Sequence, residues 1–317
     1  MPNTKVIVIG GLNTDIIGLG VPELIGPGEL TLGGELVIGP GGKSRNTAQM
    51  TAAYLGKNLV AMIGRTCLDP YGIWQPPIKA LQQAGVNTDF VKQLDFARVK
   101  KFPGVALIPV DKQGKNQIYV LPGVNNDFCP QDIDEAAELF TEVGKNNGVL
   151  ALSLELPLTT AIFGIKLANK NNIKVILDPG GINKNINYQE LLQQKIFLLK
   201  PNEHEAKILT GIEVTDFASA QNAAKKLLEK NIENVMITHG ARGAYLFNRE
   251  TAEHISIPKI KDTKTKDETG CGDQAAAIVA AEIAKGRDVL SATKTAINIA
   301  TLQFQRVGIQ PICMSEL

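Results

Sequence analysis

Short aliphatic runs recur along the chain, at Val6–Ile9, Leu59–Ile63, Val149–Leu154, Lys174–Leu177, Ile196–Leu199 and Val235–Thr238, most of them separated by polar, helix-compatible stretches. A continuous apolar run suits a strand covered on both faces. A chain that alternates such strands with amphipathic helices packs them as a parallel sheet between helical layers. The expected fold class is α/β, a doubly wound, mainly parallel sheet flanked by helices. At 317 residues, with 44% hydrophobic and 21% charged side chains, the chain can fill one large core.

Residues 16–40 and about 91–122 break this pattern, because they carry glycine and alternating apolar positions but no helical period. They read as strands of a small separate sheet. GVALIPVDKQGKNQIYVLPG is hairpin-like, with two β-rich runs around Asp111-Lys112-Gln113-Gly114. The expected organisation is a single domain over 1–317 with a β lid formed by the two stretches, of the kind that closes over a reactive phosphate and keeps water out.

Charge and cysteine usage exclude several function classes. Lys plus Arg number 33 against 32 Asp plus Glu, so no net positive field exists to gather nucleic acid or an anionic membrane surface. Cys67, Cys129, Cys271 and Cys313 form no CxxC pair, and His204, His239 and His254 have no metal-ligand spacing. The segment MPNTK does not open a signal peptide, and no apolar run reaches membrane-spanning length. A soluble cytoplasmic protein is expected.

Residues 266–286, KDETGCGDQAAAIVAAEIAKG, run from a glycine-bearing turn straight into an alanine-rich helix. A helix start preceded by glycines is an anion site, since unpaired N–H groups converge there and the macrodipole is positive. Asp273 stands at that start, where by itself it reads equally well as an N-cap or as a base beside an anion cradle.

DETGCGD at 267–273 resembles the DTxGAGD signature of the ribokinase-like (PfkB) carbohydrate kinases, and GGKSRNTA at 41–48 resembles their amino-terminal signature GGKGANQA. GVALIPVDKQG, VILDPGG, LKPNEHEAKILTG and ITHGARGAYL each resemble a block of that family, in family order and across almost the whole chain. The resemblance implies Asp273 as the base that activates a sugar hydroxyl toward the γ-phosphate of ATP, with the amides around Gly270, Cys271 and Gly272 as the anion hole. It implies Asn202 and Glu205 as the pair that orients Mg²⁺ through water, and Thr238, Gly240 and Gly243, with Gly272, along the nucleotide. Asn13, Asp15, Gly42, Lys43, Asn46 and Glu155 would face the sugar, in a pattern that favours a pentose, ribose first. Asp267, Thr269, Arg306 and Gly308 match the backbone and carboxylate set that holds an activating K⁺ in many members. The family also implies a homodimer formed through the lid.

Some residues depart from the pattern. Ser44-Arg45 replaces a smaller pair, Asp178 stands where asparagine is common, Cys271 replaces a residue that is often alanine, and Ile312 takes the place of a serine near the cation loop. Rival readings are a nucleoside or other sugar kinase of the same fold, a non-catalytic sugar-binding protein on that scaffold, and an NAD-dependent oxidoreductase. The last has no G-x-G-x-x-G and no helix after VIVIGGLNTD to support it.

Overall fold

In the computed structural model, which describes residues 4–259 and 267–317, the aliphatic runs are strands of one sheet. In chain order the strands are β1 (Val6–Ile9), β2 (Asn13–Val21), β3 (Glu35–Gly41), β4 (Val60–Leu68), β5 (Val91–Asp95), β6 (Gly104–Asp111) and β7 (Tyr119–Leu121). They continue as β8 (Val149–Ser153), β9 (Lys174–Asp178), β10 (Ile196–Leu199), β11 (Ile232–Thr238), β12 (Ala244–Phe247) and β13 (Ala252–Ile255). The large sheet has the order β13-β12-β11-β10-β9-β8-β1-β4-β5. It is parallel from β5 to β11, and β12 and β13 add an antiparallel edge.

Strand β1 shows why these runs are continuous rather than alternating. Ile7 and Ile9 point into one core with Leu150, Leu152 and Leu177, while Val6 and Val8 point into another with Met62, Ala151 and Ile176. Each such side chain, fully buried, contributes about 1.5–3 kcal/mol. The second core is closed by the helices Lys43–Leu55 and Cys271–Ala284, where small residues such as Ala48, Ala52, Ala276 and Ala277 let the backbones approach closely.

A second sheet has the order β3-β2-β6-β7, with β2 antiparallel to β3 and parallel to β6. The hairpin forms at Asp111–Gly114, whose carboxylate accepts from the N–H groups of Gln113 and Lys115. The structure corrects the expected boundaries of this sheet. Val91–Asp95 pairs in parallel with the end of β4 and so belongs to the large sheet. At the other end, the small sheet reaches back to Asn13, and no strand covers residues 22–34. A short run at a sheet edge, exposed on one face, alternates just as a lid strand does, so periodicity cannot separate the two.

The strand order reverses at β1, with β4 and β5 to one side and β8 through β11 to the other. In such sheets ligands bind beyond the carboxyl ends of the strands near that switch point. Asn13 follows β1, Glu155 follows β8, Asp178 ends β9, Asn202 follows β10 and Thr238 ends β11.

Candidate active site

The helix Cys271–Ala284 starts from Gly270, whose φ of 76° is left-handed and favours glycine. Gly270 is the N-cap, and no side chain caps this helix. Asp273, in the first turn, is therefore not spent on capping. Its carboxylate is 6% exposed, accepts from the Asn46 amide at 2.6 Å and lies 3.7 Å from the Lys43 ammonium. Both partners come from the helix Lys43–Leu55, which Gly42 introduces with φ 93°. A side chain at 42 would press on the Gly11 carbonyl at 2.9 Å, so glycine is what lets this helix start against the loop after β1.

Asp273 opens onto a cleft of about 530 Å³. Its walls bring together Lys43, Gly270, Cys271 and Gly272 with Asn202 and Glu205, and with Thr238, Gly240 and Gly243. Glu205 is buried rather than on a solvated helix face. It forms a capping box with Asn202: Glu205 N–H donates to Asn202 Oδ1 at 2.8 Å, and Asn202 N–H donates to Glu205 Oε2 at 2.9 Å. Burial, reinforced by nearby Asp178, raises the Glu205 carboxyl above its ordinary range.

Two further groups at the cleft had no role in the sequence reading. The Lys200 ammonium is 3% exposed and meets the Asp178 carboxylate at 2.7 Å. It lies 4.0 Å from where a Cβ on Gly272 would stand, so a buried cation backs the glycine turn. Burial pushes Asp178 up, but Lys200, Lys43 and the Gly180 N–H outweigh it and hold the carboxylate low. The signal was the lysine directly before PNEHE, which is indistinguishable in sequence from a surface charge.

Of the candidate sugar-facing residues only Lys43 lines this cleft; Asn13, Asp15, Gly42, Asn46 and Glu155 are not among its lining residues. Lys43 N–H donates to Glu155 Oε2 at 2.9 Å. Asn13 Oδ1 accepts from Asn125 at 2.8 Å, a partner with no sequence signal. Asp15 lies against Gly41, where any Cβ would collide with its carboxylate. Burial pushes the Asp15 carboxyl up to about 6, with Asp273 adding to the rise and Arg45 opposing it. Glu155 is likewise pushed up to about 6 by burial, against the pull of Lys43. The Lys43 ammonium is held well above its ordinary value, chiefly by Asp273.

Arg45 is fully buried rather than facing a ligand or solvent. Its guanidinium donates to the carbonyls of Gly41 at 3.2 Å and Pro40 at 2.7 Å, and to the side chains of Gln49 and Asn46. Arg45 thereby ties the end of β3 to the amide that holds Asp273. The Cys271 thiol is pushed up to about 12 by burial and three nearby carboxylates, which removes it as a nucleophile. In the loop Asp267–Gly270, Asp267 accepts from Thr269 N–H at 2.8 Å and Gly308 N–H at 2.7 Å, while Arg306 pairs with Glu316 at 2.6 Å.

A family model described as pfkB family carbohydrate kinase matches residues 3–316. The chain belongs to the pfkB family of carbohydrate kinases. Like its relatives, this pfkB-family protein is a phosphotransferase acting on an alcohol group. It is 34% identical over 266 residues to a ribokinase from Haemophilus influenzae, covering 84% of this chain and 81% of that protein. It is 28% identical over 305 residues to a deoxyribokinase from Salmonella typhi, covering 96% and 94%. A solved structure of Arabidopsis thaliana ribokinase complexed with ribose and ATP superposes with a TM-score of 0.82 at 26% identity, covering 96% of this chain and 94% of that one.

Proposed function

We propose that this protein is an ATP-dependent pentose kinase that phosphorylates a hydroxymethyl group, with ribose as the first candidate. The observation that carries this reading is Asp273: a buried carboxylate, oriented by Asn46, at a glycine turn that opens a helix, on the wall shared by Lys43 and the cleft. Relatives that include a ribokinase at 34% identity, and a superposable ribokinase solved with ribose and ATP, support the substrate pair.

Each residue then has a physical task. Asp273 accepts the proton of the attacking hydroxyl as its oxygen bonds to the γ-phosphorus of ATP and the bond from that phosphorus to the departing ADP oxygen breaks. The N–H groups around Gly270, Cys271 and Gly272 steady the charge on the transferred group, that of Cys271 on giving up its 3.2 Å bond to the Glu268 carbonyl, and Lys200 adds positive potential behind them. Asn13, Asp15, Gly42 and Glu155 hold the remaining hydroxyls, for which carboxylate and amide oxygens are apt acceptors. Thr238, Gly240 and Gly243 border the nucleotide, whose planar base lies against bare backbone. Asn202 and Glu205 line the cleft, and the Glu205 carboxylate with the Asn202 amide oxygen offers acceptors that would suit a hydrated Mg²⁺ held through its waters. When bound, Mg²⁺ supplies charge neutralisation at the nucleotide phosphates.

The small sheet is the proposed lid, and one of its faces carries exposed Leu36, Ile38, Leu107, Tyr119 and Leu121. A row of that kind on a sheet with open edges supports a homodimer formed through the lid. Four free cysteines suit the cytoplasm, and no helix among the described residues is long and apolar enough to cross a membrane.

The test is ADP release with ATP and Mg²⁺ across ribose, 2-deoxyribose, hexoses, sugar phosphates and nucleosides. Preference for ribose is expected. Turnover with 2-deoxyribose alone shifts the assignment to the chemistry of the deoxyribokinase relative, and turnover with nucleosides alone overturns it.

A further inference from the structure

The loop beside the anion-binding turn has the backbone of a monovalent cation site, yet its residues do not leave room for the ion. Asp267 spends one carboxylate oxygen on Thr269 N–H and the other on Gly308 N–H. Ile312 takes the sequence position of the family's serine, is fully buried in the second core, and has no side-chain oxygen to offer. The carbonyls of Thr269 and Gly308 are already engaged by one side chain. Gln303 Nε2 donates to Gly308 O at 2.6 Å and to Thr269 O at 3.2 Å.

Both partners are carbonyl oxygens and can only accept, so the atom between them must be the amide nitrogen and not the amide oxygen. Gln303 is fully buried at the end of the helix Val289–Gln303, and its Nε2 lies 3.8 Å from where a Cβ on Gly270 would stand. The amide holds this pose although its Oε1 finds no partner among the described residues. The two bonds from Nε2 are what keep it there.

We propose that the Gln303 amide takes the place of a monovalent cation beneath the Thr269–Gly270 turn, so that the anion hole is held in shape without potassium. A cation in such a loop draws converging carbonyls together and places positive charge under the helix start. An NH₂ group with two hydrogens does the first directly and the second with its partial charge.

The turnover arm of the test rests on the kinase assignment; the melting arm does not. ADP release and thermal melting are compared in choline chloride and in KCl at equal ionic strength. For the wild-type protein the rate changes by less than ~2-fold and the melting temperature does not move with K⁺. Gln303→Ala uncovers the two carbonyls; its rate in choline falls about 10-fold or more, and K⁺ restores rate and melting temperature together. A wild-type protein activated several-fold or stabilised saturably by K⁺ overturns the proposal, as does a Gln303→Ala protein no more responsive to K⁺ than its parent. Should Gln303→Ala not fold, Gln303→Ser removes the same N–H groups, and the wild-type melting series decides on its own. Absence of ADP release in every salt would count against the kinase assignment and leave the melting comparison intact.

Discussion

The Lys200 ammonium and the Asp178 carboxylate meet 2.7 Å apart, both buried, behind the glycine turn that carries Asp273. Removing one member of such a pair strands the other charge away from water. Lys200→Ala is expected to lose ~3–5 kcal/mol of stability, read by urea unfolding. The double variant Lys200→Met/Asp178→Asn should recover most of that loss without recovering turnover, which separates the lysine's structural role from its role in the cleft. Recovery of full turnover would refute the second role.

Asp273→Asn keeps the shape of the side chain and its contact with Asn46 but cannot take up a proton from a hydroxyl. ADP release should fall by at least ~10²-fold while calorimetry still detects nucleotide binding. Equal activity in this variant would eliminate Asp273 as the base.

Arg45 reaches Asp273 by hydrogen bonds through Asn46, and its charge also acts on Asp15 and Asp273. Arg45→Met and Asn46→Ala should each lower kcat, by about 10-fold, with little change in nucleotide KM, and the double variant should be no worse than Asn46→Ala. Losses that multiply would mean the two residues act independently. Arg45→Lys should rescue only partly, since an ammonium lacks the planar fork that spans the two carbonyls.

Asp15 has a carboxyl raised by burial to about 6 from the ordinary 3.8. Sugar kcat/KM should therefore fall as pH drops through about 6, because the protonated acid no longer accepts two hydroxyls. The stability sign is the opposite. Between about 3.8 and 6 the folded state binds the extra proton, so this group lowers stability as pH rises through that window. Asp15→Asn should melt higher than the parent at pH 7.5, by a margin that shrinks toward pH 4, while its sugar KM rises. A lower melting temperature at pH 7.5 would contradict the burial cost.

The large sheet was legible because a strand buried on both faces is apolar along its interior, as all of β1, Val149–Leu152 of β8 and Val175–Leu177 of β9 are. Edge strands gave no such signal: three of the five residues of Val91–Asp95 and two of the four of Ala252–Ile255 are polar. Within the site, Asp273, Lys43 and Asn46 announce themselves through motifs that carry glycine turns, and Glu155 only through the resemblance of the segment around it. Lys200, Asn125 and Gln303 do not, because a lysine, an amide in a loop and a glutamine at a helix end look alike in sequence whether buried or solvated. Only three-dimensional packing reveals that each has lost its water.

Strand β2 runs from Asn13, just after the loop that follows β1, out to Val21 in the small sheet, with a shift of register against β6 between Leu19 and Val21. Whatever grips the far end of that strand, be it a second subunit or a raised antibody, takes hold of the same strand that carries Asp15. A reagent selected solely for tight attachment to the distal surface would thus tune turnover from a distance, leaving the path of sugar and nucleotide open.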